Sequence, residues 1–186
     1  MARHLQGCAY AGVVSLFLLN PAHASVLTGD LIQAEYDYPI PGSVYGASTV
    51  IPNPFVVGTG LETVISIEDV TFLNVDFSDD SLLITLLTVL DNPTWNSVPQ
   101  NRPAFTVRSG NPFPAISSVT STSGPGKRVH FRWTLFINWV GMSYHTGDTV
   151  SVSFETPLPP ALPLFVSGLT GFGFFGWWRR RKNETI

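Results

Sequence analysis

The chain has 186 residues, enough for one ordinary domain plus export segments, and 44% of them are hydrophobic while only 12% are charged. The net charge of −3 hides an asymmetry: residues 25–156 carry twelve Asp and Glu against five Lys and Arg, whereas Arg179, Arg180, Arg181 and Lys182 form one basic block. An acidic body argues against nucleic-acid binding. The single cysteine, Cys8, leaves the rest of the chain without a disulfide, a thiol nucleophile or a cysteine-ligated zinc site.

At the N-terminus Arg3 and His4 precede an apolar stretch over residues 7–19, which Asn20-Pro21 ends. Ala22-His23-Ala24 then supplies small residues at the positions a signal peptidase reads. This pattern predicts a signal peptide over residues 1–24, with cleavage between Ala24 and Ser25 and with Ala22 and Ala24 as the recognised side chains. The apolar run is short for a retained membrane span. Cys8 precedes that run instead of following it, so the segment is not a lipoprotein signal.

The body, residues 25–155, alternates with period two in several places, as half-buried strands do. Ile32, Ala34 and Tyr36 alternate with Gln33, Glu35 and Asp37. The run over residues 82–90 is denser in leucine, and its flanking turn residues favour a strand over a short buried helix. Alternation is longest at Val129, Phe131, Trp133, Leu135, Ile137 and Trp139, which predicts one long strand with both inner tryptophans in the core. Val150, Val152 and Phe154 repeat the pattern. Pro- and Gly-rich breaks recur at intervals of roughly 8–15 residues, without a long amphipathic helix, so the expected fold is all-β: an antiparallel β-sandwich or jelly roll. Ser123-Gly124-Pro125-Gly126 is expected to join a strand near residues 117–121 to the long one.

Catalytic chemistry is not legible in this body. Asp76, Asp79 and Asp80 bunch closely enough to suggest a calcium site, but Asp and Ser are also the favoured residues of a plain turn, which is the expectation. His130 and His145 stand without a serine in a nucleophile elbow and read as surface histidines. No two of the twelve carboxylates are singled out as a glycosidase pair. Trp95, between Pro93 and Pro99, is expected in a loop and is the better ligand-facing candidate among the tryptophans. No metal or cofactor is called for.

After Glu155 the chain changes character. Residues 156–163 are dense in proline and cannot continue a sheet. Residues 161–178 carry no charge, and at ~1.5 Å per residue a helix there spans roughly 27 Å, just enough to cross a hydrocarbon core. Trp177 and Trp178 follow where an interfacial anchor belongs, and residues 179–186 open with Arg179, Arg180, Arg181 and Lys182, a cytoplasmic stop.

The order of a proline-rich signature, a Gly-rich apolar helix and an arginine cluster near the chain end resembles a PEP-CTERM sorting tail. Pro157-Leu158-Pro159-Pro160-Ala161, with Leu164-Phe165-Val166-Ser167-Gly168-Leu169 after it, resembles the VPLPA variant, although no Pro-Glu-Pro is present and Thr156 and an extra proline depart from the simplest form. The resemblance implies an exported precursor of a Gram-negative, exopolysaccharide-producing cell, with signal peptidase and an exosortase as processing partners. The body resembles a passenger module that recurs in such proteins, through Val57-Gly58-Thr59-Gly60-Leu61-Glu62, Val75-Asp76-Phe77-Ser78-Asp79, Ile137-Asn138-Trp139-Val140-Gly141-Met142-Ser143 and Gly147-Asp148. The expected function is therefore a non-enzymatic structural or interaction protein of the envelope or matrix, associated with exopolysaccharide. The alternative is a carbohydrate-binding module, and a secreted hydrolase is a weaker third.

Overall fold

Alternating burial appears in the folded chain where the sequence alternates. The structure, a computed structural model, describes residues 27–123, 127–131 and 133–155, the side chains of 127–131 excepted. Strand β1 (Leu31–Asp37) buries Ile32, Ala34 and Tyr36 on one face, because successive residues of an extended chain point to opposite sides. Strands β2 (Ser48–Ile51) and β3 (Phe55–Val56) are short. They are followed by β4 (Thr63–Ile67), β5 (Thr71–Phe77) and β6 (Ser81–Thr88). The leucine-rich run is thus a strand, and it is covered on one face only: Leu82, Ile84 and Leu86 are buried while Leu83 is 40% exposed.

The second half supplies β7 (Arg102–Ser109), β8 (Ile116–Ser121), β9 (Lys127–Phe131), β10 (Thr134–Asn138) and β11 (Thr149–Phe154). The expected single strand through Trp139 is in fact the β9–β10 hairpin. Thr134 pairs with Phe131 and Leu135 with His130, so the chain reverses between Phe131 and Thr134, with Trp133 in the turn. Trp133 is consequently 47% exposed and not in the core, whereas Trp139 is buried as expected.

The strands form two antiparallel sheets, β3-β1-β7-β10-β9 and β2-β4-β5-β6-β11-β8, in a sandwich-like arrangement. Their facing sides share one hydrophobic core, which includes Ile32, Phe105 and Leu135 from the first sheet and Ile65, Leu73, Ile84 and Val152 from the second. Each fully buried side chain of this size contributes about 1.5–3 kcal/mol. The described residues stand on this burial without a disulfide.

Buried aromatic residues gather in two clusters. Phe77 packs edge-on against Phe105 at 5.4 Å and also meets Phe55 and Phe113. Tyr36, Trp95, Trp139 and Tyr144 form the other cluster. Phe77 closes β5 while the second cluster lies by its opening residue, Thr71, whose hydroxyl is 2.8 Å from that of Tyr144.

The described residues contain no helix long and apolar enough to cross a membrane. The expected signal peptide (1–24), proline-rich signature (156–163), membrane helix (161–178) and basic tail (179–186) lie outside the described residues.

Candidate functional site

Several connections meet at the Thr71 end of β5 and enclose a cavity of about 190 Å³. Tyr36 and Tyr38 come from the end of β1, Tyr45 from the connection to β2, Glu68 from the β4–β5 turn, Trp95 and Asn96 from the β6–β7 connection, and Tyr144 from the β10–β11 connection. The last two connections hold each other in place. The Trp95 N–H donates to Met142 C=O (2.9 Å), the Gly141 N–H to Trp95 C=O (3.0 Å) and the Tyr144 N–H to Pro93 C=O (3.0 Å). These bonds give two irregular segments the fixity of a short ladder, a rigid mount of the kind binding loops use.

The inner wall is aromatic and almost fully hydrogen-bonded. Trp139 Nε1–H donates to the Tyr36 hydroxyl (2.8 Å), which in turn donates to Asn101 Oδ1. Burial pushes the Tyr36 phenol well above its ordinary range and raises that of Tyr144, so both remain neutral. Trp95 stacks between Trp139 (5.3 Å between centroids) and Tyr144 (4.5 Å). Its Nε1–H is buried and has no partner. An unanswered donor in such a place costs about 1–3 kcal/mol and is an exception among native structures.

The rim carries the remaining polar groups. Tyr38 and Tyr45 meet edge to face at 4.9 Å, and Asn96 Nδ2 donates to the Tyr38 hydroxyl (3.1 Å). The Tyr45 hydroxyl donates to Glu68 Oε1, and this bond pushes its pKa up to about 12. Glu68 and Asp69 both hold φ at 54° in the β4–β5 turn, where the Val70 N–H donates to Ile67 C=O (3.1 Å). Two consecutive non-glycine residues in the left-handed region are uncommon and store strain. The strained turn sets the Glu68 carboxylate at the mouth beside Tyr45.

Trp95, expected to face a ligand from an exposed loop, is only 6% exposed and belongs to the core cluster. Its loop is stapled down by the backbone bonds described above, so the ring forms inner wall, and the accessible aromatic surfaces are Tyr38 and Tyr45. Asp76, Asp79 and Asp80 do not converge, and among the described residues no group of three or more metal-ligating side chains gathers. Asp76 lies on β5, Asp79 Oδ1 accepts the Thr28 N–H (2.9 Å) and Asp80 Oδ1 accepts the Ser78 hydroxyl (2.9 Å). His145 is exposed, with Nδ1 3.4 Å from Asp148 Oδ2, and the side chain of His130 lies outside the described residues. Ala22, Ala24 and Ser25, the signature Pro157, Leu158, Pro159, Pro160 and Ala161, and the stop Arg179, Arg180, Arg181 and Lys182 also lie outside them.

Sequence reading missed Tyr38, Tyr45 and Glu68 as site residues. The available signal was the spacing of Tyr36 and Tyr38, which carries the β1 alternation past the strand's end to the rim. It also missed Glu62, whose carboxylate accepts the N–H groups of Gly58 (3.0 Å) and Phe77 (2.7 Å) and thereby joins two of the passenger-like segments. Burial raises the Glu62 pKa. Compared with protein-family models, with curated proteins and with solved structures, the chain gives no match in any of the three.

Proposed function

We propose that this chain is an exported envelope or matrix protein, carried outward by its N-terminal signal and processed at a PEP-CTERM-like tail by an exosortase. In this reading the body is a non-enzymatic structural or interaction module that associates with exopolysaccharide, built on a jelly-roll-like sandwich whose connections mostly pass from one sheet to the other. The observation that carries the sorting half is the tail's order: Pro157 to Ala161, then an uncharged stretch, then Arg179 to Lys182. Mass mapping of both termini of the mature envelope protein tests it. A mature chain starting at Ser25 and lacking residues 179–182 is the expected result; a mature chain that keeps them overturns the reading.

A second reading, a carbohydrate-binding module, is favoured by the pocket. Rigidly mounted aromatic rings beside mixed donors and acceptors suit a polar ligand with apolar faces. Among the described residues that line it Glu68 is the single carboxylate, whereas hydrolysis of a glycosidic bond uses two facing carboxyl groups. Pull-down on the polysaccharide of the producing cell, with dextran as the neutral control matrix, tests this reading. Retention on the native polysaccharide that the full chain loses when Tyr45 is changed supports it, and no retention removes it.

A further inference from the structure

We infer that the pocket is a site for a compact organic ammonium group, carried either as a quaternary ammonium or as a protonated amino sugar. This goes beyond the polysaccharide reading and does not depend on it. Charge sets the sign. Among the described residues that line the pocket Glu68 is the one charged side chain, and no Lys, Arg or His stands with it. Exposed Asp69 and Asp91, next in the chain to Glu68 and Leu90 of the lining, add negative potential at the mouth. Arg102, next to Asn101 of the wall, is buried and paired with Asp37, and His145, next to Tyr144, lies against Asp148. An anion therefore finds no counter-charge here, whereas a cation does.

The wall sets the kind of cation. Tyr36, Tyr38, Tyr45, Trp95 and Tyr144 bring five aromatic rings to the lining, and such rings attract organic cations. The Tyr45 hydroxyl donates to Glu68 Oε1, which keeps the carboxylate beside the Tyr38–Tyr45 ring pair at the mouth. Its charge also acts across the cavity: burial, and after it the Glu68 charge, raises the phenol of Tyr144 on the inner wall. A metal ion fits poorly, because Ca²⁺ takes six to eight oxygen ligands and the described lining offers one carboxylate among rings. A volume of about 190 Å³, below the range of about 300–1,000 Å³ typical of drug-sized sites, suits a head group and not a long ligand.

The test compares charged ligands with uncharged ones of the same shape. It uses the full chain in micelles of a neutral polyoxyethylene detergent at about pH 6, where carboxylates are ionised and amines protonated. The pairs are choline against the uncharged alcohol in which carbon replaces its nitrogen, and glucosamine against glucose, with dissociation constants from ligand-observed NMR. At least a fivefold preference for the charged member is expected, and the pair that shows it tells which source carries the group. Read as a ratio within one sample, the preference does not depend on how much of the chain is folded. That matters for Glu68→Gln, whose weakened bond to Tyr45 also costs stability. The ratio should fall below twofold in Glu68→Gln and stay within twofold of the parent value in Asp91→Asn. Tetramethylammonium chloride should displace the bound ligand better than potassium chloride at equal ionic strength. Failure of both charged ligands to bind, or equal binding within both pairs, overturns the inference. So does a preference that Glu68→Gln keeps, one that Asp91→Asn loses as fully, or displacement by potassium as strong as by tetramethylammonium. Glucose bound as tightly as glucosamine, with no preference for choline, would remove the ammonium site while leaving the carbohydrate reading intact.

Discussion

Gly110 follows β7 at φ +119°, and a Cβ added there would fall 1.9 Å from Asp30 Oδ1 and 2.2 Å from its Cγ. Asp30 is 5% exposed and cannot swing into open solvent without leaving the Asn111 N–H, which it accepts at 2.9 Å through Oδ2. Gly110→Ala therefore forces two losses. Backbone strain in that region costs about 1–3 kcal/mol, and a broken hydrogen bond to a charged, buried carboxylate adds roughly 1.5–3 kcal/mol. The sum, about 2.5–6 kcal/mol, is a large share of the 5–15 kcal/mol that holds a typical domain. Gly42→Ala is the matched control: φ is +70° and no atom lies within 4 Å, so about 1 kcal/mol is expected. Urea unfolding followed by tryptophan fluorescence reads both as midpoint shifts at constant slope. The reasoning fails if Gly110→Ala costs no more than Gly42→Ala. It fails equally if the cost is undiminished in an Asp30→Gly background, since the two residues would then be uncoupled.

Arg102 donates to Asp37 Oδ2 from Nε (3.1 Å) and Nη2 (2.9 Å), and Cζ lies 3.7 Å from the centre of the Phe136 ring. Arg102→Met removes the counter-charge of buried Asp37, whose Oδ2 keeps the Gly42 N–H at 3.2 Å; a loss of about 3–5 kcal/mol is expected in the same unfolding assay, and adding Asp37→Leu should recover most of it. Tyr45 ionises at about 12 in the folded chain and near 10 when unfolded. Its folded value is the higher, so its stabilising contribution is complete below pH 10 and disappears as pH rises through 12. Carbon-13 NMR of the tyrosine ζ carbons should show the Tyr45 midpoint falling toward 10 in Glu68→Gln; an unmoved midpoint would rule out the carboxylate as the cause. Trp133→Ser, on an exposed turn, should change stability by about 0.5 kcal/mol or less, whereas Trp139→Ala should cost about 3–5 kcal/mol by urea unfolding.

Strands could be read directly wherever one face met the core. Ile32, Ala34 and Tyr36, and likewise Val150, Val152 and Phe154, show their burial in their spacing because period two is geometric. The β9–β10 hairpin defeated the same rule. Its apolar residues stay in step by number, but the chain reverses between Phe131 and Thr134 and pairs Leu135 with His130 and Phe136 with Val129. The stripe counted along the chain therefore spans two paired strands and not one. The pocket was harder still. Tyr38, Tyr45, Glu68, Trp95 and Tyr144 come from separate connections, and tertiary pairing of the β6–β7 and β10–β11 segments decides which side of Trp95 meets solvent. Local sequence does not encode that pairing. The Asp76, Asp79 and Asp80 group illustrates the opposite case, in which the plain expectation of a turn suited Asp79 and Asp80.

That turn also governs how the body would bear load. Asp79 holds the incoming chain through the Thr28 N–H, and the Asp80 carbonyl accepts the Phe154 N–H at 2.7 Å where the last strand leaves. Entry and exit therefore gather at the Phe77 end of β5, while the pocket opens at the Thr71 end. The six steps from Thr71 to Phe77 at ~3.3 Å each set these ends roughly 20 Å apart. For a body held through Glu155 and gripped at the pocket, tension would run along the strands. Because β11 lies between β6 and β8, its two ladders would be pulled lengthwise, and many bonds would have to break together instead of unzipping singly.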